Sequence, residues 1–403
     1  MTPKLNVDVL AIVCEFLTDA PDILSLALTC SSIHPIAIRW LLYMGPVFLK
    51  NDLSILRFHS FLLTDISARA VHILALDVDL TWLNMYQTGA DHFSLLLDIL
   101  ASCEFLEHVT ITFGEASKEL IDDPRFVHTI TKFRRLHSFS VRSGVVDTLP
   151  IIRHICTPLL KLSIREAPDD SAWYPSTLEK YIPRLVARTL KKLELNNLAV
   201  DQHHIQGPSS QPILSTIEYP AVRSLTVRFF DGRPLLEHLF HLFPAIDNTL
   251  SLGNLDIGPG GEEAYDQIRA LNKQAQDNHG AWKKLDRVVC DGAMLYALGL
   301  RCPVRLVIIN SGWLSGYSYA GDALRENPAP RLKITLRHEE LSMPAFRRVF
   351  SPELAETLTH LTVCMTYDKV YQYNPPQLLQ GALYTCSPPQ LQWDDVLVRP
   401  HSI

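Results

Sequence analysis

Hydrophobic positions near the start of the chain repeat with the period of a helix. Val9, Ile12, Val13 and Phe16 fall at i, i+3, i+4 and i+7, the spacing of one helical face. Leu10, Cys14 and Leu17 are read as widening it. Asn6 suits the N-cap, and Asp8 the first turn, where the helix dipole favours a negative charge. Thr18-Asp19-Ala20-Pro21 stops this helix and opens a second, since proline's missing N–H has no partner to lose in a first turn. Ile23, Leu24, Ala27 and Leu28 give the second helix an apolar face. Ser31 and Ser32 are expected to cap a third helix, with Pro35 in its first turn and Ile33, Ile36 and Trp40 on helical spacing. Pro46 ends the pattern. Three short helices in roughly 45 residues carry more apolar surface than so small a bundle hides by itself. The surplus either packs on the rest of the chain or docks a partner.

Beyond about residue 50 the period shortens. Runs with apolar alternation occur at 71–76, 106–111, 136–141, 159–164, 190–195, 222–227, 285–289, 305–309, 332–336 and 358–363. Helix-like segments lie between several of them, at 93–101, 150–156, 181–187, 235–243 and 344–350. A strand followed by a helix, recurring roughly every 25 to 33 residues, is the pattern of a leucine-rich-repeat-like solenoid. One such unit cannot bury its own apolar face, whereas stacked units share a core. No unit carries the full repeat consensus, and Leu193-Glu194-Leu195-Asn196-Asn197-Leu198 comes nearest. An ordinary α/β domain is the other reading. The expected class is therefore α/β: a helical module over 1–50, an irregular solenoid of alternating short parallel strands and helices over 51–368, and a cap or tail over 369–403. Three insertions interrupt the series: a surface loop at 200–216, a Gly-rich turn plus polar helix around Ile268 and Leu271 at 258–281, and a loop at 311–330.

Composition narrows the function classes. The 403 residues are 47% hydrophobic and 20% charged, with a net charge of −6. That supports a sizeable core and argues against a protein built around nucleic acid, which needs clustered Lys and Arg. The eight cysteines are scattered and never form Cys-x-x-Cys, so no zinc site is expected. No Asn-x-Ser/Thr acceptor occurs, and no apolar run approaches a membrane span. The first residues do not resemble a signal peptide, so cytosol or nucleus is expected.

Candidate chemistry is thin. Gly258-Pro259-Gly260-Gly261 lacks a phosphate-loop context and reads as a turn. His203-His204 reads as solvated loop, and His338-Glu339-Glu340 lacks the second histidine of a zinc protease. No Gly-x-Ser-x-Gly elbow occurs. No catalytic, cofactor or metal residue is expected. The basic pairs Arg134-Arg135, Lys191-Lys192, Lys283-Lys284 and Arg347-Arg348 are short and dispersed. They are read as solvated surface, some of it rimming a target site.

Residues 5–10 (Leu5-Asn6-Val7-Asp8-Val9-Leu10), then Ile12-Val13, then Ile23-Leu24-Ser25-Leu26-Ala27-Leu28-Thr29-Cys30-Ser31 resemble the F-box of fungal F-box proteins. That family reads Leu-Pro-x-Glu-Leu, then an apolar helix, then a Leu-rich segment. Here Asn6 stands for Pro, Asp8 for Glu, and Ile33 for a frequent Trp. The resemblance covers about a tenth of the chain. It implies docking onto a Skp-type adaptor of a cullin ubiquitin ligase through Leu5, Val9, Ile12, Leu24, Leu28, Cys30 and Ile33, with an unknown target protein held by the repeats. A substrate-recognition adaptor without catalytic residues is thus the expected function. A repeat scaffold with no ligase link and an enzyme with a site assembled across repeats are its rivals.

Overall fold

The computed structural model of the chain describes residues 6–29, 31–82, 90–143, 148–166, 175–199, 218–253, 255–256, 261–310, 316–337, 349–350 and 352–366. The chain divides into two compact units, Met1–Asp169 with Tyr181–Leu190, and Asp170–Lys180 with Lys191–Ile403. No described helix is long and apolar enough to cross a membrane.

In the first unit, helices α1 (Val7–Phe16), α2 (Ala20–Ala27) and α3 (His34–Tyr43) precede β1 (Val47–Leu49), α4 (Asp52–Thr64), β2 (Ala75–Asp79), β3 (His108–Phe113), β4 (Ser138–Ser143) and β5 (Lys161–Glu166). The five strands are parallel and lie side by side in chain order. The expected boundary at residue 50 is not where the compact units part. β1 pairs with β2, with Val47 opposite Leu76 and Leu49 opposite Val78, so the chain enters the sheet soon after α3.

The second unit repeats the plan with β6 (Lys192–Ala199), β7 (Ser224–Asp231), β8 (Thr249–Leu252), β9 (Leu255–Asp256), β10 (Leu285–Cys290), β11 (Val304–Ile309), β12 (Arg331–Arg337) and β13 (His360–Thr366). β9 pairs with β7, and the others follow chain order in parallel. Helices Leu236–Leu242, Gly261–His279, Gly292–Leu298, Gly316–Glu326 and Pro352–Thr357 alternate with them. This is the order of a repeat stack, as the sequence pattern predicts.

Register explains the core. Leu76, Val109, Phe139 and Leu162 form one rung of the first unit, all buried. In the second, Leu193, Leu225, Leu250, Val288, Val307 and Leu332 form a buried rung that Leu361 continues. β-branched and Leu side chains on alternate strand positions stack across neighbours, so each repeat supplies half of the next one's interior.

Several strands start two residues later than the apolar pattern suggests. Leu106, Leu136, Leu159, Leu190, Val222 and Leu358 are buried but precede the pleat. The residue after five of them bonds to the preceding repeat instead: Glu107 N–H to Leu74 O (2.8 Å), His137 to Glu107 O (2.8 Å), Leu160 to His137 O (2.8 Å), Arg223 to Lys191 O (2.9 Å) and Thr359 to Pro330 O (2.8 Å). The apolar residue closes the core below the strand, and the next strand position joins the ladder.

Two further expectations are corrected. The loop expected at 311–330 contains the helix Gly316–Glu326, whose Ala320, Ala323 and Leu324 are buried as it packs on Gly292–Leu298. Burial of that face outweighs the roughly 1 kcal/mol that each interior glycine costs. Ser31 and Ser32 do not cap α3; Ile33 is its N-cap and makes no side-chain cap bond. The loop at 200–216, the segment 344–348 and the tail 369–403 lie outside the described residues.

The polar helix Gly261–His279 buries Ile268 and Ala275 and is fastened further by buried amides. Asn272 Oδ1 accepts from Leu236 N–H (2.7 Å), and its Nδ2 donates to Pro234 O (3.0 Å) and Ala297 O (2.8 Å). Gln276 Nε2 donates to Gly299 O (2.9 Å), and Gln276 Oε1 accepts from Arg301 N–H (2.9 Å). Gly299 takes the left-handed φ of +53° that ends the preceding helix. Asn272→Ala would strand three buried backbone groups. Chemical denaturation should show a loss of about 3 kcal/mol, while exposed Leu271→Ala should change stability by less than about 0.5 kcal/mol.

Candidate docking surface on the N-terminal helices

Local chemistry sets α1 and α2 as the sequence suggests. Asn6 Oδ1 accepts from Asp8 N–H at 3.1 Å and starts α1. Leu17 leaves the helix in extended conformation, Asp19 precedes α2, and Pro21 sits in its first turn. Leu10, Cys14, Ile23, Ala27, Ile33 and Ala37 form the buried cluster between the helices, with Leu17, Leu26, Ile36, Trp40 and Leu41 packed against it. α3 also buries Ile38 and Leu42, and it meets the turn Ala70–His72 of the same unit. There burial, and then the charge of Arg39, push the His72 imidazole below its usual range.

α1 and α2 differ from α3 in what they leave bare. Val9, Ile12 and Val13 are each more than two-fifths exposed, and Phe16 is 79% exposed. At 100° per residue these four share one face, while Leu10, Cys14 and Leu17 occupy the adjoining one. Leu10, Cys14 and Leu17 therefore do not widen the outward face but supply the inward one. On α2, Ile23 and Ala27 point into the cluster, and Leu24 and Leu28 face water at 45% and 75% exposure.

The predicted docking residues thus divide. Val9, Ile12, Leu24 and Leu28 are on the surface. Ile33 is corrected: it is only 7% exposed, because its branched side chain fills the space between the three helices. Leu5 and Cys30 lie outside the described residues. Val13 and Phe16 belong to the bare face although neither was counted among the docking residues; their i+4 and i+7 spacing from Val9 was the signal. Trp40 is half-buried on the cluster and edge-on to Tyr43, with ring centroids 5.8 Å apart.

An apolar face of this kind is a means of association. Exposed patches above a few hundred Å² mark interaction sites. Removing on the order of 400 Å² from water gains roughly 10 kcal/mol before the cost of association. α4 shows a thinner stripe, with Leu53, Leu56 and Leu63 exposed on either side of Ser60.

Reactive chemistry is scarce among the described residues. No group of three or more His, Cys, Asp or Glu side chains is placed to hold a metal ion. Burial pushes the Cys103 thiol up to about 12, that of Cys302 up to about 11, and that of Cys290 well above its ordinary value. A thiolate is the reactive form, so these three are inert fillers. Alkylation of the native chain near pH 8, read by peptide mass mapping, should label exposed Cys156 and leave Cys103, Cys290 and Cys302 unmodified.

No family model matches the chain, and no curated protein matches it. Among solved structures, a crystal structure of a Rad7 and Elc1 complex in yeast matches with a TM-score of 0.39 and 11% identity, over 85% of this chain and 76% of that one. Similarity of that size establishes neither a family nor a partner.

Burial and exposure on these helices should separate by mutation. Ile33→Ala should loosen the module by roughly 2–4 kcal/mol, seen as faster proteolytic cleavage within residues 6–45. Ile12→Ser should leave cleavage unchanged.

Proposed function

We propose that this chain is a substrate-recognition adaptor of a cullin-type ubiquitin ligase. In this reading α1 and α2 dock a Skp-type adaptor, and the repeats hold a target protein. One observation carries the reading. The stretch that resembles an F-box is also the stretch whose first two helices and their ends turn Val9, Ile12, Leu24 and Leu28 outward, uncovered by the described residues. An amphipathic helix that keeps one apolar face for its own bundle and a second for water is built to be completed by another protein.

The work is done by proximity. A frame that binds two partners at once raises their effective concentration toward each other. The chain itself contributes no catalytic side chain to the transfer. Its unpaired cysteines, Cys14, Cys103, Cys290 and Cys302 among them, suit the reducing cytosol or nucleus where it would act.

Co-expression with a Skp-type adaptor tests the proposal. The wild-type chain should co-purify with the adaptor. Val9→Asp/Ile12→Asp should weaken retention at least about tenfold, since buried apolar anchors dominate interface energy, while Leu271→Asp should bind as wild type. Failure of the wild type to co-purify, or equal retention of the double variant, would overturn the ligase role.

A further inference from the structure

The second unit gathers charges that the sequence disperses. At the starting ends of its strands runs an open groove of about 870 Å³, and Lys191, Lys192, Arg223, Lys284, Arg301 and Arg305 line it. Against these six cations, two carboxylates line it among the described residues, Asp247 and Asp286, in a chain whose net charge is −6. Two of the basic pairs singled out in the sequence, at 191–192 and 283–284, contribute to this one surface.

Part of the charge is answered internally. Arg223 Nε donates to Asp247 at 2.7 Å, and Arg305 donates to Asp286 at 2.8 Å. Lys192 pairs with Glu194 at 2.9 Å, and Arg301 pairs with Asp277. Lys191 and Lys284 have no carboxylate within ion-pair distance among the described residues. Lys284 acts only at longer range, adding to the pull of Arg223 and Arg305 that holds both aspartates below the usual carboxylate range. The aspartates therefore stay ionised at neutral pH and split the positive surface into separated spots.

The backbone fixes the length of the groove. Lys191 O accepts from Arg223 and Ser224 N–H, and Arg223 O accepts from Asn248 and Thr249 N–H. From β6 to β12 there are five strand-to-strand steps, about 24 Å at the ~4.8 Å spacing of paired strands. An extended peptide covers that distance with about seven residues. These four backbone donors are taken by the ladder, and the cationic side chains are the groups that reach the open groove.

We infer that this groove binds an extended acidic segment of a partner protein, with Asp or Glu side chains answering Lys191 and Lys284. A nucleic acid fits less well. Its unbroken phosphates would meet Asp247 and Asp286, and no aromatic side chain lines the groove among the described residues to stack a base. A peptide places its carboxylates at chosen intervals and passes neutral residues over the aspartates. The inference does not depend on the N-terminal helices. If the ligase role holds, the acidic segment belongs to the target.

Fluorescence anisotropy with the full chain tests it, using a labelled seven-residue peptide of alternating Glu and Ser and its Gln-for-Glu counterpart. The Glu peptide should bind at low ionic strength, the Gln peptide at least tenfold more weakly, and 0.5 M salt should weaken the Glu peptide by a similar factor. K191Q/K284Q, with an unchanged melting curve, should lose about tenfold in affinity, and V9D/I12D none. No binding by the wild type, equal binding of the two peptides, or full binding by K191Q/K284Q would overturn the inference. So would a ten-nucleotide single strand that displaces the peptide at lower concentration than unlabelled peptide does. Because V9D/I12D is read separately, failure of adaptor docking and failure of this groove are distinct results.

Discussion

The structure rests on parallel strands held in one register, so that apolar side chains from successive repeats meet. Leu193 faces Leu225, which faces Leu250, then Val288, Val307 and Leu332. None of these residues has enough neighbours within its own repeat to leave water. A one-residue slip in any pair would turn a whole strand's apolar set to the other face. A carbonyl that receives two N–H groups at several strand starts, as Lys191 O and Arg223 O do, guards against that slip.

The same constraint explains where polar groups are buried. A stack leaves helix ends and turns facing one another between repeats, with backbone groups that neither sheet nor helix satisfies. Asn272, Gln276 and Asn327 supply the missing partners, Asn327 by donating to Leu300 O (3.0 Å) and Cys302 O (2.9 Å). Buried amides there are fasteners between repeats rather than candidates for catalysis. Arg269 belongs with them: it lies over the Tyr296 ring at 4.0 Å and pairs with Glu326 at 2.9 Å.

Function, in this molecule, is a matter of what the core leaves uncovered. α3 spends its surplus apolar surface on its own unit, through Ile38 and Leu42. α1 and α2 do not, and Phe16 and Leu28 stand in water. The groove at the strand starts is the polar counterpart, where repeat geometry lines up cations that a strand pattern reserves for its exposed positions. An apolar face at one place and a charged groove at another are the two surfaces on which the proposed adaptor role and the inferred acidic partner separately rest.

Much of this was written in the order of the residues. Apolar alternation located nine of the strands, because period two and burial are the same fact in a sheet, while the run at 71–76 begins in the turn Ala70–His72 and reaches β2 only at Ala75 and Leu76; the cap at Asn6 and the break at Pro21 are local backbone chemistry. β1, β8 and β9 escaped because two to four residues carry too little pattern, and the helix at 316–326 escaped because Gly316 and Gly321 mimic a loop when its buried face is not yet known. The docking face was half legible. Spacing alone put Val9, Ile12, Val13 and Phe16 on one side of a helix, yet which side faces water depends on where α2 and α3 lie. That same packing took Ile33 into the core. The cationic groove was not legible at all, since Lys191 and Lys284 are brought together only by strand pairing across residues distant in the chain.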